Sequence, residues 1–219
     1  MTTASIAKPI AFRHYRFPHI LGGLFAIVWI VSAINPLMMT DWLLENLLVF
    51  LFVGFLIGTY KRLPLSELSY LLIFVYLCLH EWGAHYKYAL VPFGEWMRQV
   101  FHTTRNDYDR VVHFAFGALL AYPQREALMR KARVYGAWAL WLPVVITLGL
   151  GAGYEILEAV VANLAGPETA DAFLGLQGDP WDTHKDMFMA FAGALLAMAL
   201  TGAVVHARAS QARAADLSR

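Results

Sequence analysis

The chain has 219 residues, of which 59% are hydrophobic and only 15% charged, with a formal net charge of +1. That composition leaves too little polar surface to cover a soluble globule, and the near-zero charge offers no electrostatic footprint for a nucleic acid. A mean hydropathy of +0.51 points instead to one integral membrane domain over 1–219, all-α because every backbone polar group must be paired inside lipid.

Six apolar segments follow one another, roughly 19–38, 41–60, 65–81, 108–122, 134–162 and 181–206. Each can cross a hydrocarbon core of about 30 Å as a helix, the fourth only barely, so the spacing predicts a polytopic six-helix transmembrane bundle. In the first, "VSA" at Val31–Ala33 resembles a signal-peptide cleavage site. The stretch before the apolar run is long for the n-region of a signal peptide, so the segment is read as a retained helix. The third ends in "HEWGAH" (His80–His85) and holds Cys78, the single cysteine, which rules out an intrachain disulfide and CxxC chemistry. The connection after it is long, and its "GEWMRQVF" suits a short interfacial helix with Trp96 and Phe101 at headgroup depth. The fifth contains Pro143 and "GLGAG" (Gly149–Gly153), which predict a kink or a close helix contact.

Lys and Arg set the expected orientation. With the N-terminus in the cytoplasm, most of them lie inside, among them Lys8, Arg13, Lys61, Arg62, Arg130 and Arg213. An even number of crossings then puts both termini in the cytoplasm. Of the acidic residues only Glu67, Glu126 and Asp216 fall on that inner side, so the polar chemistry gathers at the outer one.

Four pairs there have helical spacing: Glu81 with His85 if the third helix continues past Gly83, Asp109 with His113, Glu155 with Glu158, and Asp182 with Asp186. One carboxylate in the bilayer costs at least roughly 2.5–3.5 kcal/mol. Four such pairs are tolerable only if they face one another, a cavity or a cation, so a polar chamber is expected with "HEWGAH" as one wall. His with Asp and Glu and no Cys favours zinc, iron or manganese. The expected ligands are His80, Glu81, His113, Glu155 and Asp186. The pattern is neither HExxH, since the two histidines are five apart, nor the Glu-x-x-His of di-iron bundles.

The chemistry this implies is attack by a metal-bound water on an ester or phosphoester of a membrane lipid or lipid-linked substrate. Glu158 or Asp182 would serve as general base and Arg110 would hold a phosphate. No serine stands in a nucleophile motif, which disfavours acyl-enzyme chemistry. Plainer readings exist: Asp182 as an N-cap, Arg110 paired with Asp107 or Asp182, and Glu155 with Glu158 in salt bridges. Two other functions fit the same composition. One is a cation- or proton-binding transporter, weakened by inner helix halves nearly free of charge. The other is a non-catalytic subunit of a membrane complex, with Trp29, Trp42, Trp138 and Trp141 on its helices.

Leu79–His85, Arg105–Tyr122, Gly153–Glu158 and Gly178–Ala194 together resemble the small YjdF-like family of bacterial inner-membrane proteins. That resemblance implies a membrane location and, the family being of unknown function, little chemistry. "DRVVHFAFGALL" (Asp109–Leu120) is similar to the Asp-Lys-x-x-His-Phe segment of VanZ-like membrane proteins, which are linked to glycopeptide-antibiotic resistance. "YEILE" stands where those have Glu and, three later, Gln; "DMFMAFAGALLA" (Asp186–Ala197) stands where they have Asp, Asn and Gly-Ala. The resemblance implies polar roles for Asp109, His113, Glu155 and Asp186, with Arg110 in place of Lys, Glu158 of Gln and Ala190 of Asn.

Overall fold

The computed structural model describes residues 16–165 and 177–217. Lys8 and Arg13, used above for orientation, lie outside the described residues. Seven α-helices are described: α1 (Arg16–Ser32), α2 (Met39–Thr59), α3 (Glu67–Tyr86), α4 (Pro92–Phe101), α5 (Tyr108–Ala127), α6 (Trp138–Ala165) and α7 (Asp182–Leu217). No strand occurs among the described residues.

Three helices, α2, α6 and α7, are long and apolar enough to cross a membrane. The expected count of six rests on weaker ground for the others. The apolar α1 has only 17 residues. Helices α3 and α5 carry the acids, histidines and arginines that lower their hydropathy.

Several boundaries move for local reasons. Helix α1 stops at Ser32, and the chain turns through Asn35 at φ 50° ahead of Pro36. Helix α3 continues past Gly83 to Tyr86, so Glu81 and His85 do share the i, i+4 spacing. Its N-cap is Ser66, whose hydroxyl accepts from the Ser69 amide at 3.3 Å, while the Ser66 amide donates to the Glu126 carboxylate at 2.9 Å. That bond ties the start of α3 to the end of α5. The stretch "GEWMRQVF" is helical as its pattern suggests; Pro92 begins α4, and Trp96 and Phe101 stand exposed. Helix α6 continues through Pro143 to Ala165.

Helix α5 is the central post, packed against α7, α3 and α6. Its crossing with α7 is close because both helices offer glycine there. A Cβ on Gly117 would sit 1.9 Å from the Ala190 carbonyl oxygen, and one on Gly193 would sit 2.1 Å from that of Phe114. Small residues admitting such contact are how helices associate where hydrophobicity gives no drive. Gly149 and Gly153 do not follow that rule: among the described residues a Cβ on either meets nothing within 4 Å, and of the three "GLGAG" glycines only Gly151 approaches α7, with its Cβ 3.7 Å from that of Ala190. Elsewhere large apolar side chains point outward along α1, α2, α6 and α7, the surface expected of a bundle solvated by lipid.

Candidate functional site

Asp109 and His113 lie one turn apart on α5, and the glycine-mediated crossing brings Asp186 of α7 against them. One ligand atom from each of Asp109, His113 and Asp186 lies within 4.8 Å of the other two. His113 Nε2 is 3.5 Å from Asp109 Oδ1 and 3.4 Å from Glu155 Oε1 of α6. Asp186 is buried, and its Oδ1 has no hydrogen-bond partner among the described residues. Two ionised carboxylates at this separation repel by roughly 3 kcal/mol at an effective dielectric of about 20. A cation or a proton between them offsets that cost.

A second polar group adjoins the first. His80 Nδ1 is 2.6 Å from the Tyr88 hydroxyl, and His80 Nε2 lies 4.0 Å from Glu45 Oε2. The Tyr154 hydroxyl donates to Glu45 at 3.1 Å, bridging α6 to α2, and Glu158 stands one turn after Tyr154 on α6. His80, Tyr88, Asp109, His113 and Tyr154 line one end of a cavity of about 720 Å³ whose remaining walls are almost wholly apolar. Glu45 was not among the residues expected at the site. The signal was present, for Asp41 and Glu45 are i, i+4 inside the apolar "DWLLENLLVF". Tyr88 and Tyr154 carried no such signal, since aromatic residues are common in membrane helices and at their ends.

The three polar residues of "HEWGAH" part company. His80 faces the cavity. Glu81, expected beside it as a ligand, is fully buried toward α1 and α2, where Ser32 donates to its Oε2 at 2.5 Å and Trp42 Nε1 donates to the Ser32 hydroxyl at 3.0 Å. His85 Nδ1 lies 2.9 Å from the Ser32 carbonyl oxygen. The expected set of five ligands therefore does not gather round one point. His113 and Asp186 meet Asp109, Glu155 touches His113, and Glu81 pins the end of α1.

Beside the site lies a charged cluster. The Arg105 guanidinium pairs with Asp182, and both are buried. Arg110 bonds Asp107 at 2.8 Å and Asp179 at 2.5 Å, with Asp182 at 3.3 Å. Asp179 lies outside the spanning segments; the Lys185 ammonium, then the Trp181 amide and Arg110, hold its carboxyl down to about 2. Asp179 Oδ1 accepts the Trp181 amide at 3.1 Å at the start of α7, while the carboxylate of Asp182, one expected N-cap, is engaged by two arginines. Arg110, expected to hold a phosphate, already serves three carboxylates. Arg105 was missed because a lone arginine in a polar loop has no distinguishing spacing.

A family model described as "Predicted membrane protein (DUF2238)" matches residues 17–208. The chain is also similar to the "Inner membrane protein YjdF" of Escherichia coli (strain K12), 38% identical over 170 residues, which cover 77% of this chain and 81% of that one. No solved structure matches.

Proposed function

The chain belongs to the family of predicted membrane proteins described as DUF2238, and from that premise we propose a metal-dependent enzyme of the bacterial inner membrane acting on a lipid or lipid-linked ester or phosphoester. Asp109, His113 and Asp186 hold a divalent ion, zinc, iron or manganese, with Glu155 as a further ligand or as the group that orients His113. The observation that carries this reading is the convergence of three ligand atoms within 4.8 Å, two of them carboxylate oxygens, in a setting where their repulsion must be offset. The ion would supply Lewis acidity and an activated water.

The chain's own residues do the rest. Glu45, which accepts the Tyr154 hydroxyl, and Glu158, one turn after Tyr154 on α6, are the proton acceptors. His80, held by Tyr88, faces the polar end of the substrate. Arg110 and Asp182, expected as phosphate holder and base, instead lock the start of α7 to the start of α5. Helices α1, α3 and α5 cross the membrane with the others, their polar faces shielded by packing. The Lys and Arg bias puts both termini in the cytoplasm and the site at the outer leaflet. A reporter fused at the C-terminus should therefore read as cytoplasmic; a periplasmic signal would reverse the assignment. A transporter is less well supported, because below its polar end the cavity wall is apolar and offers ions no relay.

Elemental analysis of the purified protein tests the metal. About one ion per chain is expected, falling at least tenfold in Asp186→Asn and in His113→Ala. Chelation should lower thermal stability by the binding linkage, about 2.7 kcal/mol at free metal 100-fold above its dissociation constant. If a proton instead relieves the carboxylates, zinc, iron and manganese all fail to load, and Asp186→Asn, which stands in for the protonated acid, leaves the stability near that of the parent. That outcome would overturn the proposal.

A further inference from the structure

The cavity below the site is shaped for something long. Its lining on α5 runs from Asp109 to Ala127, about 27 Å of helix at 1.5 Å per residue, close to the hydrocarbon thickness of a bilayer. Its volume of about 720 Å³ lies inside the range of roughly 300–1,000 Å³ usual for ligand sites. One end is polar, at His80, Tyr88, Asp109, His113 and Tyr154; the rest is Leu, Phe, Ile and Val with few polar groups. Leu51 and Phe55 of α2 and Leu150 and Leu157 of α6 belong to the lining yet are exposed. The wall is therefore open sideways between α2 and α6, toward the lipid.

The glycines supply an independent observation. Gly149 and Gly153 are one turn apart on α6, both line the cavity, and a Cβ on either meets nothing within 4 Å. In membrane helices small residues ordinarily serve close packing, as Gly117 and Gly193 do here. Gly149 and Gly153 pack against no neighbouring helix in that way. What their missing side chains preserve is open volume. Glycine in a helix interior costs roughly 0.5–1 kcal/mol relative to alanine, and of the described helical glycines with open space at the Cβ position only Gly149 and Gly153 line the cavity.

We propose that this cavity is the tail slot of the substrate: the hydrocarbon chain of a single lipid enters between α2 and α6 and lies along α5, with its polar end at His80, Asp109 and His113, and Gly149 and Gly153 keep the slot open. The inference rests on the proposed function for what happens at the polar end, but not for the seating of the tail. It also gives a role to Gly149 and Gly153 of the "GLGAG" run, while Gly151 makes the contact with α7.

Two photoreactive probes test it, hexadecyl phosphate and hexadecanol, each carrying a diazirine at the end of the tail. The alcohol needs no cation at the polar end. In the purified protein both should label saturably at the far end of the lining, near Leu63, Gln124 and Ala127, and unlabelled hexadecanol should compete. Gly149→Phe and Gly153→Phe should each cut labelling at least tenfold with the melting temperature retained. Gly54→Phe, on α2 outside the lining, should leave it unchanged. Where a phenylalanine variant fails to fold, Gly153→Leu makes a smaller plug and should still cut labelling severalfold. Labelling that rises linearly with either probe, or ignores the plugs, means bulk lipid filling only and overturns the slot. The same labelling in Asp186→Asn separates the two proposals. Hexadecanol labelling should survive there although the variant loads no metal; saturable labelling of an unmutated protein that loads none of zinc, iron or manganese keeps the slot and sinks the metal, and metal loading without saturable labelling does the reverse.

Discussion

Gly193→Ala should lower thermal stability by about 3 kcal/mol, the upper end of the usual cost of overpacking a tight interior. The added Cβ would stand 2.1 Å from the Phe114 carbonyl oxygen, and a backbone atom cannot swing aside as a side chain can. The only relief is to move α7 away from α5. That movement also separates Asp186 from Asp109 and His113, so the site should loosen together with the fold. Gly54→Ala and Gly22→Ala, where a Cβ meets nothing within 4 Å, should be neutral or slightly stabilising, since alanine favours helix by roughly 0.8–1 kcal/mol. Thermal unfolding in one detergent reads all three. A Gly193→Ala protein melting within a degree of its parent would mean that the α5–α7 crossing is not as close as described.

Arg105→Met should cost about 3 kcal/mol, near the lower end of the 3–5 kcal/mol seen when one partner of a buried ion pair is removed. Asp182 is 2% exposed and would lose its nearest guanidinium, though Arg110 at 3.3 Å remains. Adding Asp182→Asn should recover more than half of the loss, because the cost comes from the stranded charge and not from lost packing. If the double variant is no more stable than Arg105→Met, electrostatics is not what holds this cluster. The cluster also carries a pH signature. The carboxyl of Asp179 is held at about 2, below its usual value, mainly by Lys185. Its contribution is therefore fully present above the ordinary aspartate range near 4 and is lost as the pH falls toward 2. Lys185→Met should flatten that part of the acid-unfolding curve.

The sequence by itself determined what is local. Apolar runs of membrane length, with no water to satisfy the backbone, can only be helices, and six of the seven described helices fall on the six segments read from hydropathy. Spacing also determined which polar residues share a helix face, and the pairs Asp109–His113 and Glu81–His85 do so because 3.6 residues make a turn. Spacing does not say which face meets which helix. Glu81 is adjacent to His80, so the two point in different directions, and only the position of α1 decides that Ser32 and Trp42 receive the carboxylate. Glu45 reaches His80 and Tyr154 through the placement of α2 beside α3 and across from α6. Arg105 finds Asp182 across 77 residues of chain. The meeting of Asp109 and His113 with Asp186 depends on two glycines on different helices admitting a backbone contact. Gly149 and Gly153, the same residue type, border open space because no described helix comes within 4 Å of where their side chains would stand. Such choices between contact and cavity belong to the packing of the whole bundle, where each helix face is settled by its neighbours and not by its own period.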